Sequence, residues 1–137
     1  MEFHRGRLID HIHLEVSDLA RSKRFYRAVL EVFGVTIAGE GDGYFFADEL
    51  FVSAWGGSLG RVHLAFQATD EAMVRTFHEA GLKAGGTDNG DPGQRDYHPG
   101  YYAAYLLDPD GNNIEAVFHG PAHRSAPSVV IKPLLPE

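Results

Sequence analysis

The sequence predicts an α+β domain made of two tandem βαβββ modules, and three observations carry that prediction. Sliding the chain along itself by 52 residues puts His11 on His63, Asp18 on Asp70, Ala20 on Ala72, Phe25 on Phe77, Ala28 on Ala80, Leu30 on Leu82 and Gly34 on Gly86. In each copy an alternating, strand-like segment runs into apolar residues at helical spacing and then into short apolar runs broken by turn formers. Finally, 137 residues make one domain, or two half-sized units sharing one core.

The first module spans about 8–57. From Leu8 to Val16 the alternation puts Ile9, His11, His13 and Glu15 on one strand face and Asp10, Ile12, Leu14 and Val16 on the other. Ser17 or Asp18 is the candidate N-cap of a helix carrying Leu19, Ser22, Phe25, Tyr26, Val29, Leu30 and Phe33, which Gly34 ends. Strands are expected at Val35 to Ala38, Tyr44 to Ala47 and Leu50 to Trp55, with a turn over Gly39 to Gly43.

The second module, about 61–120, repeats the plan. A strand from Arg61 to Ala68 carries His63, a helix capped by Thr69 or Asp70 runs to about Lys83, and Gly85 and Gly86 close it. Strands at Tyr101 to Leu107 and Asn113 to His119 are joined by the Asp108-Pro109-Asp110-Gly111 turn. Setting Ile114 to Phe118 over Phe51 to Trp55 widens the repeat offset to 63, so additional residues fall in Thr87 to Pro99, which reads as an irregular lid or binding loop. The tail, 121–137, with its four prolines, is expected to be extended.

Composition narrows the function. A net charge of -7 with no basic run argues against a nucleic-acid groove. With no cysteine, disulfides, thiolate nucleophiles and sulfur-ligated metals are excluded. No stretch is apolar enough to span a membrane and the N-terminus lacks a signal-like apolar region, so the expected location is cytoplasmic.

The chemistry sits in the repeat. His11 and His63 occupy equivalent strands, and Glu115 lies in the apolar run Ile114-Glu115-Ala116-Val117-Phe118, where a buried carboxylate needs a partner. Two imidazoles and a carboxylate suit a divalent metal, Zn, Fe(II), Mn, Ni or Co, and leave coordination positions for substrate. His13, two residues from His11 on the same face, matches Ala65 in the second copy, so it is placed in the pocket rather than in the ligand set, as a candidate proton carrier or a group that supports the ligands. Glu115 and His13 are the candidate catalytic groups.

The segments Ile9 to Leu19 with Ser22, Phe25 and Tyr26, then Val62 to Phe66, then Leu107-Asp108-Pro109-Asp110-Gly111-Asn112-Asn113-Ile114-Glu115, resemble the vicinal oxygen chelate superfamily. That group includes glyoxalase I, extradiol dioxygenases, fosfomycin-inactivating enzymes, methylmalonyl-CoA epimerase and bleomycin-binding proteins. The resemblance implies paired modules whose mixed sheets curl into a cup or open barrel around a metal, with His11, His63 and Glu115 at the ligand positions. Glyoxalase I supplies a fourth ligand from the late strand of its first module, where this chain has Val52 or Ser53, so the pattern is closer to the three-ligand dioxygenases and fosfomycin-type transferases.

Two function classes follow. One is a metal-dependent enzyme, a lyase, isomerase, transferase or ring-cleaving dioxygenase, that chelates a small substrate through neighbouring oxygens. The other is a small-molecule sequestering protein of the bleomycin-resistance type. Trp55, Arg95, His98, Tyr101 and Tyr105 are the candidate substrate contacts, with core packing as the alternative for the aromatic residues and a solvated loop for Arg95. A homodimer is expected, because curled sheets of such modules leave strand edges and apolar faces to be covered.

Overall fold

Asp18 and Asp70 start the two helices. Each sits in extended backbone and accepts the amide of the residue three further on, Arg21 at 3.0 Å and Met73 at 2.7 Å, satisfying an N-terminal N–H that the helix cannot. The computed structural model describes residues 3–5, 11–126 and 128–134. Its elements are β1 (Phe3–Arg5), β2 (Ile12–Glu15), α1 (Leu19–Val32), β3 (Gly39–Gly41), β4 (Tyr44–Ala47), β5 (Leu50–Ser53), β6 (His63–Gln67), α2 (Glu71–Lys83), β7 (Thr87–Gln94), β8 (Tyr102–Leu107), β9 (Asn113–Phe118) and β10 (Val129–Ile131). The two predicted βαβββ modules are β2 to β5 with α1, and β6 to β9 with α2.

Each module forms its own four-stranded mixed sheet, ordered β2-β5-β4-β3 and β6-β9-β8-β7. In both, the first strand lies parallel to the last and the remaining pairs are antiparallel. The pairing also corrects the repeat register of the late strands. His13 lies opposite Phe51 and Ala65 opposite Glu115, so the first-module counterpart of Glu115 is Phe51, not Val52 or Ser53. The offset of the late strands is one residue larger than apolar matching suggested, because side-chain type alone cannot fix a strand's register.

Two stretches differ from expectation. Residues 35–38 precede the strand, which instead takes Gly39–Gly41 from the expected turn. The stretch expected to be an irregular lid is β7 over Thr87–Gln94, the edge of the second sheet. Its turn formers are absorbed by register shifts between Asp88 and Gly90 and between Gly90 and Gly93, leaving only 95–101 as loop. The expected start of the first strand, residues 8–10, lies outside the described residues, and β1 pairs with β10 in a two-stranded ribbon that periodicity did not predict.

One core joins the modules. Phe25, Tyr26 and Val29 of α1, Val74 and Phe77 of α2, Phe45 and Val52 of the first sheet and Leu106 and Ile114 of the second are all fully buried in it. Truncating a ring such as Phe77 to alanine would cost about 3–5 kcal/mol. Gly81 lets α2 lie directly on β8, since a Cβ there would meet Leu106 Cδ1 at 2.1 Å. The sheet faces away from these helices carry His13, Glu15 and Ser53 on the first sheet and His63 and Glu115 on the second.

Candidate metal centre and its open sheet faces

On the second sheet Leu64, Ile114, Ala116 and Leu106 point to the helices, so pleating sends His63, Glu115 and Tyr105 to the opposite face. There His63 Nε2 and Glu115 Oε1 meet at 2.7 Å. The imidazole is 54% exposed and the carboxylate 2%, so the acid forms the floor and the base the rim. Tyr101 donates its hydroxyl to Glu115 Oε2. Burial first, and then this hydrogen bond to the carboxylate, push the Tyr101 phenol well above its ordinary value, which keeps it a donor. Burial and the Glu115 charge raise Tyr105 in the same direction.

The first sheet presents His13 and Glu15 on the corresponding face, with Leu14 and Val16 in the core as the alternation predicted. Ser53, fully buried, donates to Glu15 Oε2 at 2.7 Å and lies 2.7 Å from His13 Nε2. With its proton given to Glu15, the hydroxyl oxygen is placed to accept from His13 Nε2, an arrangement that in the neutral imidazole puts the lone pair at Nδ1. Glu15 Oε1 also accepts the Gly56 amide at 3.0 Å and the Trp55 amide at 2.5 Å. These bonds, the one from Ser53 above all, hold the Glu15 carboxyl below its ordinary value. Trp55 is 59% exposed on this face, edge-on to His13.

The remaining candidates divide. His98 stacks on His119 with Nε2 2.8 Å from His119 Nδ1, and both rings contact Tyr101 edge-on, so they wall the Glu115 side. Arg95 is turned back on β7: it donates to the Gly93 and Asp91 carbonyls at 2.8 Å and lies over the Tyr105 ring. His11 is exposed just before β2. Within one chain the structure brings His63 and Glu115 together but does not add His11 to them, since among the described residues the group of three ligand atoms within 4.8 Å is His78, Asp88 and Asp91. That group lies on the helix side of the second sheet, as Asp88 pairs with the core residue Leu106. It ties α2 to the β7 edge through a 2.8 Å contact of His78 Nε2 with Asp88.

Sequence reading missed Ser53, Glu15 and His119. A polar residue at the end of the apolar run Leu50-Phe51-Val52 was the signal for Ser53, and Glu15 shared the face already assigned to His11 and His13.

The profile of the Glyoxalase/Bleomycin resistance protein/Dioxygenase superfamily matches residues 8–116. Among solved structures, a glyoxalase/bleomycin resistance protein from Albidiferax ferrireducens T118 is 31% identical, with a TM-score of 0.71 over 82% of this chain and 98% of that one. A glyoxalase-related enzyme from Fulvimarina pelagi is 23% identical, with a TM-score of 0.64 over 82% and 88%. A lactoylglutathione lyase from Agrobacterium tumefaciens is 22% identical, with a TM-score of 0.59 over 82% and 94%, a likeness of fold. No curated protein matches the chain. Among the described residues no helix is long and apolar enough to cross a membrane.

Proposed function

Because the chain belongs to the glyoxalase/bleomycin resistance protein/dioxygenase superfamily, we propose that it is a metal-dependent enzyme that holds a divalent cation through His63, Glu115 and His11 and chelates a small substrate through neighbouring oxygens. The observation that carries this reading is the contact of His63 Nε2 with the buried Glu115 carboxylate. Two ligand atoms bound side by side to one first-row cation stand about 3 Å apart, given metal–ligand bonds of about 2.0–2.2 Å. A carboxylate set into an apolar strand beside an imidazole suits such an ion, and the absence of cysteine restricts the donor set to nitrogen and oxygen. A bound cation would supply Lewis acidity toward the two substrate oxygens.

The chain's own groups do the rest. Tyr101, kept protonated, orients Glu115 by donating to Oε2. His13 takes and returns a proton at Nδ1, its ring fixed by Ser53 and Glu15. Lyase, isomerase or transferase chemistry fits Zn, Mn, Ni or Co, and ring cleavage fits Fe(II).

His11 reaches the site from a second chain in this reading. β2 and β6 each end their sheet, and an edge strand is a template for another. Pairing β2 of one chain beside β6 of its partner would join the open faces into one cup and set His11 at the rim of the other chain's His63. Complementation tests it. Chains carrying His11→Ala, mixed and re-equilibrated with chains carrying His63→Ala, should regain one metal site per mixed dimer, although neither variant binds metal alone. If the mixture stays as metal-free as its parts, the site does not form across chains.

A further inference from the structure

The open face of the first sheet carries a row of rings seated on a row of glycines. Gly39 and Gly41 of β3 pair in register with Phe46 and Tyr44 of β4. A Cβ at Gly39 would lie 2.4 Å from the Phe46 ring, one at Gly41 2.6 Å from the Tyr44 ring, and one at Gly43 2.9 Å from Trp55 Cδ1. Any other residue at these positions would stand where a ring now lies. The three glycines therefore let the rings spread sideways over the edge strand, so that their faces form a floor.

Phe51 ties the floor together. Its ring is nearly parallel to Tyr44, at 5° with centroids 5.6 Å apart, and to Phe46, at 7° and 6.2 Å. Trp55 leans on both Tyr44 and Phe51. Phe46 and Trp55 remain 36% and 59% exposed. The second sheet repeats the ring-over-glycine device at Gly90 and Tyr105, but there the Arg95 guanidinium lies on the ring and the tyrosine is half-buried. A contiguous aromatic patch left open on a sheet face marks a binding surface.

One edge of the floor is polar. His13 meets Phe51 and Trp55 edge-on, at centroid distances of 5.0 and 5.7 Å, and is anchored from behind by Ser53 and Glu15. We propose that this face binds a flat aromatic molecule bearing a hydroxyl group, its ring on Phe46, Phe51 and Trp55 and its hydroxyl on His13 Nδ1. Stacking on several rings rewards flatness beyond the area buried, and the His13 edge rewards a hydrogen-bond donor. A second copy laid flat on the floor would instead desolvate the exposed edge of His13. That the bound molecule is the substrate rests on the metal reading above, whereas the ring site stands without it.

The chain has one tryptophan, so the indole N–H of Trp55 gives a single resonance. Chelator-treated protein is titrated with 2-naphthol and separately with its saturated, puckered analogue decahydro-2-naphthol, by calorimetry and by following that resonance. Saturable binding of 2-naphthol that shifts Trp55, at least tenfold tighter than the saturated compound, is the expected result. Phe46→Leu, which keeps an apolar side chain and removes the ring, should weaken binding about three- to tenfold. Gly39→Ala should weaken it as well while thermal stability is unchanged, because the new methyl displaces only the Phe46 ring. Equal affinity for the two compounds, binding that leaves Trp55 unmoved, or 2-naphthol affinity that disappears as the chains self-associate would overturn the proposal. Metal binding is titrated on the same preparation. If metal fails to bind while 2-naphthol binds, the metal reading falls and the ring site is supported; if metal binds and 2-naphthol does not, the ring site falls alone.

Discussion

The Tyr26 hydroxyl of the first module donates to Asp108 Oδ2 of the second at 2.5 Å, with both groups buried. Asp108 meanwhile accepts from the Asn112 amide and side chain at 2.8 Å and from the Asp110 amide at 2.9 Å, while Asp110 accepts the Ser17 hydroxyl at 2.5 Å. Gly111 completes the turn at φ 88, which only glycine adopts readily. The Asp-Pro-Asp-Gly segment, part of the sequence resemblance, is thus a clamp between the modules. Burial and the Asp108 charge raise the Tyr26 phenol well above its ordinary value, so it stays a donor.

Tyr26→Phe should therefore cost about 1.5–3 kcal/mol, the usual worth of a buried hydrogen bond to a charged group. Asp108→Ala should cost more, since it strands the turn's donors as well. Urea unfolding of the two variants measures both. A neutral Tyr26→Phe would mean that the clamp contributes nothing.

Glu15 supplies a pH dependence. Its folded value is lowered from 4.5 chiefly by Ser53, so its contribution to stability is complete above 4.5 and is lost as pH falls through the lower folded value. The stability difference between wild type and Glu15→Gln should be constant near neutrality and close in acid. The Trp55 indole resonance should move over the same acid range, because the carboxylate holds the Trp55 and Gly56 amides.

The helices, their aspartate caps and the pairing of modules were legible because a capped amphipathic helix and a repeated alternation are local patterns. His63 was legible through the repeat and Glu115 as a carboxylate inside an apolar strand; the structure sets the two 2.7 Å apart. Register was not legible. Glu115 falls opposite Ala65 through main-chain pairing, which side-chain types do not encode, and so Phe51 was missed as its counterpart. β7 was hidden because Asp88-Asn89-Gly90-Asp91-Pro92-Gly93 reads as two turns, whereas the fold pairs it through bulges.

Arg95 is engaged with backbone carbonyls and with Tyr105. Arg95→Ala should speed amide hydrogen exchange in 91–94 by several-fold and should weaken anionic and neutral ligands alike. A loss confined to anionic ligands would show that the guanidinium leaves β7 to bind them.

His13 is held by Ser53 and Glu15 rather than by His63 and Glu115. His13→Ala should bind a divalent cation as wild type does, and His11→Ala should fail to bind it, both read by isothermal titration. The opposite order would exchange the two histidines' roles.

Among the described residues, two places could hold the metal: His63 with Glu115, and His78 with Asp88 and Asp91. Metal stoichiometry should be measured on purified wild type, His63→Ala, Glu115→Gln and Asp88→Asn after equilibration with Zn, Mn and Fe(II) in turn. One ion per chain is expected in wild type and in Asp88→Asn, and loss of that ion in His63→Ala and Glu115→Gln. An ion retained by both His63→Ala and Glu115→Gln but lost with Asp88→Asn would place the metal at His78, Asp88 and Asp91 and contradict the assignment.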